Sequence, residues 1–401
     1  MRQMKDSGIE WIGKIPEDWA IERMKSLFTE RNERDCKGRT LLSVSQFWGI
    51  RPKSETDIAD SHIAESYDDY KEVYQGDFVM NIMLAWNGSY AVSEYDGMVS
   101  PAYCVFKFRK DCCKKYFHYL LRTNGYPTAF KTMSRGVIDS RLRLYPEQFY
   151  TFPIIIPSID EQQRIADYLD KKCGEIDSLI ALQEQMIEKL KAYKQSVITE
   201  AVTKGLDPNA KLVPSGIDWI GEIPEGWKVC RIKDLVIMKS GSNLTSEQIA
   251  NEGSYPVYGG NGLRGYYEAY SNEGDYVLVG RQGALCGNIN YAFGRFWATD
   301  HAVVCYPRRN FSLIWFGETL RSMNLGQYSL SAAQPGLSVD RIREKKMPLP
   351  PLSEQQTIAS YLDEKCADID RLIALKQQKI EALKDYKKSV IYEAVTGKTE
   401  I

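Results

Sequence analysis

The sequence predicts an α+β fold built twice: two β-rich domains, each followed by a long helix, with the helices paired as an antiparallel coiled coil about a pseudo-twofold internal repeat. Two repeats and one contrast lead there. The segment Asp6 to Trp19, DSGIEWIGKIPEDW, returns 208 residues later as Pro214 to Trp227, PSGIDWIGEIPEGW. Glu161 to Lys204 returns 193 residues later as Glu354 to Gly397, identical at 30 of 44 positions. Between these pieces, over roughly 28–156 and 236–350, the halves share almost no identity. A frame kept this closely around two diverged inserts implies that the frame holds and the inserts discriminate.

In chain order the elements are a first β-rich domain at 1–156, a helix at 157–204, a linker at 205–213, a second β-rich domain at 214–350 and a C-terminal helix at 351–401. In the first insert Val73–Met80 places a Gly-Asp turn ahead of an apolar strand, as Tyr270–Val277 does in the second. Ser100–Phe106 parallels Thr299–Cys305, and 115–130 and 311–325 have helical, amphipathic spacing. Proline-rich stretches, Phe152–Pro157 and Met347–Pro351, mark the domain exits. Ser158 or Asp160 in one copy, and Ser353 in the other, are the expected helix caps. The linker GLDPNAKLV has turn composition.

Along the first helix, Leu169, Cys173, Ile176, Ile180, Gln183, Ile187, Leu190, Lys194, Val197 and Ala201 recur at alternating steps of four and three, a heptad seam. The second helix repeats it with Leu362, Cys366, Ile369, Ile373, Lys376, Ile380, Leu383, Lys387, Val390 and Ala394. Gln183 and Lys376 occupy one matching position, where a polar residue sets register at a cost in stability. A 44-residue helix extends about 66 Å, too long for burial in one small domain. A pseudo-twofold would bring the end of the second helix to the N-terminal motif, as the first helix ends near the second motif. Trp11, Trp19, Trp219 and Trp227 of the motifs are expected to pack against the helices.

Composition narrows the chemistry. There is no basic-then-apolar start, and no apolar run approaches the about 20 residues that span a bilayer, so the expectation is a soluble, cytoplasmic protein. Nine cysteines without a CxxC pair speak against a disulfide framework or a zinc site, and no metal is expected. The formal charge is −1 overall, but residues 228–349 carry +4 and 20–156 carry +2, against −1 for each helix copy. DNA contact would therefore draw on local patches or on another subunit. A glycine-rich nucleotide turn with Asn-Pro-Pro-aromatic, as a self-sufficient adenine methyltransferase needs, does not occur, and neither does GxxxxGK[ST]. His62, His118 and His301 lie in unrelated contexts, and His301 reads as a satisfied core residue in a strand. No catalytic set can be assembled.

Recognition chemistry remains. Arg135, Arg141 and Arg143 sit in SRGVIDSRLR, just before the first exit strand. The counterpart, Ser331 to Arg341, offers Gln334, Ser338 and Arg341. Arginine holds guanine O6 and N7 with two hydrogen bonds, and glutamine holds adenine N6 and N7 in the same way. Arg281 and Gln282 lie between glycines after a strand, where glycine lets a backbone approach a phosphate or base edge. Trp86 and Asn87 occupy the corresponding place in the first insert.

With WIGxIPxxW leading each half and EQQxIAxYLDxKCxxID opening each helix, the chain resembles the specificity subunit of type I restriction-modification enzymes over essentially its whole length. The resemblance implies two target recognition domains, each reading one half of a split site in double-stranded DNA. It implies that the conserved helices set the spacer and dock two modification subunits that methylate adenine N6. Restriction subunits then join to translocate and cut DNA. The chain itself would be non-catalytic and without cofactor, with S-adenosylmethionine, ATP and Mg on the partners. It assigns no base-contacting residue, because target loops vary. The alternative reading is a coiled-coil scaffold whose β-rich domains bind proteins or glycans.

Overall fold

The structure, a computed structural model, describes residues 2–34, 38–55, 67–138, 141–283, 285–329 and 336–401. Two helices dominate it, Ile159–Lys204 and Leu352–Val395. The chain forms two compact units, Met1–Gln183 with Gln378–Ile401, and Glu184–Gln377. Each unit thus takes its own motif and insert, the first half of the helix that follows, and the last half of the other helix.

In the first unit the repeated motif folds as a short antiparallel pair, Met4–Asp6 with Lys14–Pro16, and buries Ile9, Ile12, Ile15 and Trp19. Trp19 Nε1 donates to Glu161 Oε2 at 2.9 Å, and Arg2 binds the same carboxylate. The end of the second helix closes over this motif: Tyr392 Oη donates to the Trp11 carbonyl at 3.0 Å, and Ala394 and Val395 join the core. Exit strand Pro153–Ile156 pairs with Ala20–Arg23, and Pro153 stands at its start, where a ladder tolerates it. Ser158 Oγ accepts from Glu161 N at 3.3 Å, as expected of a cap.

The insert is built on an antiparallel sheet of β1 (Phe28–Arg31), β2 (Phe78–Asn81), β3 (Tyr90–Val92) and β4 (Tyr103–Phe108), in the order β1-β4-β2-β3. Phe28 pairs with Phe108, and Phe78 with Phe106. Their rings meet Phe149 in an aromatic core with centroids 4.7 to 6.2 Å apart. Beside it lie the hairpin Leu42–Ser45/Gly49–Pro52 and the pair Lys71–Val73/Gly97–Val99, joined by a parallel bridge between Leu41 and Met98. The helix expected over 115–130 is two helices, Lys114–Leu121 and Gly125–Met133. The second begins at Gly125, where a side chain would lie 2.0 Å from the Trp11 ring. Trp11 packs on this short helix, edge to face with Tyr126 at 5.7 Å.

The second unit repeats the plan. Its motif strands are Leu212–Pro214 and Glu222–Pro224, and Trp227 Nε1 donates to Glu354 Oε2 at 2.9 Å. The sheet of β5 (Val236–Ser240), β6 (Tyr276–Gly280), β7 (Ile289–Ala292) and β8 (Ala302–Pro307) runs in the order β5-β8-β6-β7. A second sheet joins Gly262–Tyr267, Tyr255–Gly259, Arg295–Ala298 and Asn272–Glu273, with Val257 and Trp297 paired in parallel. It is the fuller version of the hairpin and pair beside the first sheet. Helix Leu313–Ser322 is followed by a 3-10 turn, Leu325–Tyr328. Two expectations change here. Ser353 lies inside the first helical turn, because the helix already begins at Leu352. His301 sits in a half-exposed turn, since β8 starts one residue later.

Within each unit the two long helices run antiparallel. In the first, Ile165, Ala166 and Leu169 share a core with Val390, Ala394 and Val395, and further along Asp177 accepts from Lys387 Nζ at 2.7 Å. In the second, Ala201 and Val202 share a core with Ile358 and Leu362, and Asp370 accepts from Lys194 Nζ at 2.6 Å. These ion pairs are copies of one another in the repeat. Leu169, Ile176, Gln183, Ile187, Val197, Leu362, Ile369, Ile380 and Val390 are buried, and Ile180, Leu190, Ile373, Lys376 and Leu383 half-buried.

Candidate nucleic-acid interface

Matching registers define matching loops. Phe78 stands opposite Phe106 between β2 and β4 as Val277 stands opposite Cys305 between β6 and β8. Beyond these strand ends, Leu144 N donates to the Ile82 carbonyl and Leu337 N to the Arg281 carbonyl, each at 2.9 Å. Ile82 and Arg281 therefore occupy one structural position, and so do Leu144 and Leu337. This corrects the loop alignment expected from sequence: 336–338 correspond to 143–145, four residues away from the pairing of Ser134 with Ser331.

In the second unit this contact joins candidates 57 residues apart. Arg281, Gln282 and Ser338 line a cleft of about 620 Å³ with Met238, Ser240 and Leu337. Arg281 Nη1 donates to Ser240 Oγ at 3.1 Å, which aims the guanidinium along the rim, while Gln282 is exposed. Gly280 serves packing within the unit: a Cβ there would lie 2.2 Å from the Gly260 carbonyl oxygen. The open part of the loop is Gly283, with nothing within 4 Å of its Cβ position. Arg341 is exposed on the short helix Val339–Arg343 and does not line the cleft. Gln334 lies outside the described residues.

In the first unit Arg135 and Arg143 face each other across a two-residue ladder, N to O at 2.9 Å in both directions. Gly136, at φ +148°, makes that turn possible, since a side chain would meet the Arg141 carbonyl oxygen at 2.5 Å. Like charges directly opposite on a ladder are unfavourable by themselves and favourable against a polyanion. Trp86 is half-buried: its Nε1 donates to the Met83 carbonyl at 3.0 Å, and Lys131 Nζ lies 5.1 Å from its ring centroid. Asn87 Oδ1 accepts from Ser89 N and Oγ, so the amide is partly committed to its own turn. The contact between Ile82 and Leu144 brings the segment that leads to Trp86 beside the residue next to Arg143.

Sequence reasoning passed over two features. Phe47 and Trp48 are exposed at the tip of the Leu42–Pro52 hairpin. Gln162 and Gln355, in the repeated EQQ, each bind a short-helix start. Gln162 Oε1 accepts from Cys113 N and Gln355 Oε1 from Ser312 N, both at 3.0 Å. Their identity in both copies was the available signal. Among the described residues no His, Cys, Asp and Glu group is placed to hold a metal ion, and no helix is long and apolar enough to cross a membrane.

The family model described as the type I restriction modification DNA specificity domain matches residues 16–192 and again 224–385. The chain belongs to the type I restriction-modification DNA specificity family. Its members supply sequence specificity and are not themselves catalysts, which removes the reading as a glycan- or protein-binding scaffold. The EcoprrI specificity subunit of Escherichia coli is 40% identical over 134 residues, 32% of this chain and 33% of that one. The MjaVIII specificity subunit of Methanocaldococcus jannaschii is 22% identical across 97% of this chain and 94% of its own. Two solved structures share the fold. A chain from a study of complex assembly and conformational transition in a type I system aligns at TM-score 0.72 and 18% identity, covering 96% and 99% of the two chains. The HsdS subunit of Thermoanaerobacter tengcongensis aligns at TM-score 0.53 and 17% identity, covering 96% and 98%.

Proposed function

We propose that each unit reads one half of a bipartite site in duplex DNA, and that the long helices set the number of unread base pairs and dock two modification subunits that methylate adenine N6. One observation carries this reading. Equivalent loops in identical registers present different side chains, Arg281 and Gln282 in one unit, Ile82 and Met83 in the other. Two scaffolds of one design with different reading groups suit two different half-sites.

The helices support the docking part. Leu179, Leu182 and Tyr193 are exposed on the first helix and Leu372, Leu375 and Tyr386 on the second, 193 residues apart in each case and off the seam. Two equivalent apolar faces suit two copies of one partner. S-adenosylmethionine belongs on those subunits, and ATP with Mg on the restriction subunits that follow. A cytoplasmic location goes with this assignment.

Methylome sequencing tests it, in a host expressing the chain with its modification subunit. The expected result is a split motif carrying N6-methyladenine on both strands, lost when the chain is deleted. Methylation unchanged by the deletion would overturn the proposal.

A further inference from the structure

The Phe47–Trp48 tip reaches into solvent. Phe47 is 78% exposed and Trp48 36%, at the end of a three-residue hairpin loop between Ser45 and Gly49. Leaving such aromatic surface in water forgoes the gain of burial, yet the loop is firmly built. Arg122 Nη2 donates to the Gln46 carbonyl at 2.6 Å and Nη1 to the Tyr90 carbonyl at 2.9 Å, and Phe47 N donates to Ser45 Oγ at 3.1 Å. A rigid, solvent-facing aromatic pair is a preorganised contact.

Its neighbours identify the occupant. The Cβ position of Gly88 is 3.8 Å from Gln46 Cβ and equally close to Pro127, which sets the tip beside the turn of Trp86 and the helix of Lys131. The hairpin carries Arg51, with Lys53 just beyond it, and the segment that follows Pro127 carries Lys131, Arg135, Arg141 and Arg143, in a chain of net charge −1. Aromatic tips framed by cations match the faces of bases between phosphates. In the second unit the equivalent tip is Gly259–Gly262, without an aromatic side chain. The feature therefore belongs to one half-site.

We propose that Phe47 and Trp48 form a wedge that enters a base step of duplex DNA at the half-site read by the first unit and stacks on the opened base faces. This rests on the DNA-reading function proposed above and adds a contact that reads deformability instead of hydrogen-bond pattern.

The test uses the purified complex of this chain with its modification subunit, on duplexes carrying the methylome-derived site with 2-aminopurine at successive positions. Wild type should raise fluorescence at one step of the first half-site. F47A/W48A should lose that signal and bind roughly tenfold or more weakly, with the salt dependence unchanged because no phosphate contact is removed. F47Y/W48F should restore the signal, and thermal melting should show both variants folded. Unchanged affinity and fluorescence in F47A/W48A would overturn the wedge and leave the reading function intact. Failure of F47A/W48A to assemble with the modification subunit would overturn it by making the tip a protein contact. A wild-type complex with no preference for the site over a scrambled duplex would sink the reading function and the wedge together.

Discussion

Glu161 and Glu354 show how single residues hold the repeat together. Each accepts the indole N–H of a motif tryptophan at the start of its long helix, Trp19 in one unit and Trp227 in the other. Removing the acceptor strands a buried donor, and in the first unit also takes one of two carboxylates from Arg2, leaving it Asp18. Glu161→Ala should cost about 1–3 kcal/mol of unfolding free energy, measured by urea denaturation, and Glu161→Gln clearly less. Equal losses would show that hydrogen bonding is not what the position provides. His118 gives a pH prediction. Burial, reinforced by Arg122 and Lys115 against the opposing Asp170, lowers its pKa from 6.5 to about 4. The unfolded chain then takes up this proton before the folded one does, so the stability that His118 supports is present above pH 6.5 and lost as pH falls toward 4. His118→Gln should flatten that limb in thermal unfolding between pH 7 and 4, and parallel curves would refute the argument. Neither role was legible beforehand. Glu161 lay inside a recognised repeat, but its indole partner is 142 residues away, and His118 carries no signal of burial beyond its place on an amphipathic stretch.

At the scale of elements, periodicity carried far. The seam of each long helix follows from steps of four and three, and the two lysines on it reach the aspartates that close the repeated EQQ…ID segment. Such half-exposed pairs contribute at most about 1 kcal/mol, so the apolar seam carries the energy and the ions set register. Inserting seven residues into each long helix keeps the seam in phase and adds about 10.5 Å, close to three base pairs of duplex rise. The spacer of the methylated motif should lengthen by about that much, as read by methylome sequencing. An unchanged spacer would mean that the helices do not set it. Short elements were less legible. The close packing at Gly125, which opens the second short helix, depends on a tryptophan more than 110 residues earlier, which no local pattern contains.

For the whole molecule, the repeated frame implies that units are exchangeable. Replacing 236–346 with the equivalent segment of another family member should change one half of the methylated motif and leave the other intact. A change in both halves would show that the units do not read independently. The match of equal sheet orders across inserts with almost no identity is the structural ground for this: the order β1-β4-β2-β3 recurs as β5-β8-β6-β7 on different side chains.

The duplication, the heptad seams, the strand-rich inserts and the missing nucleotide and metal motifs were determined by sequence alone, because each is a pattern along the chain that survives without knowledge of distant neighbours. Tertiary structure decided which loops meet. It joined Arg281 to Ser338, set Arg135 against Arg143, moved the loop correspondence by four residues and turned Phe47 and Trp48 outward. The physical reason is that an interface is made by residues brought together across long loops, where backbone pairing and steric fit choose the neighbours. Side-chain type shows what each residue could do, and only the packed chain shows what it does it with.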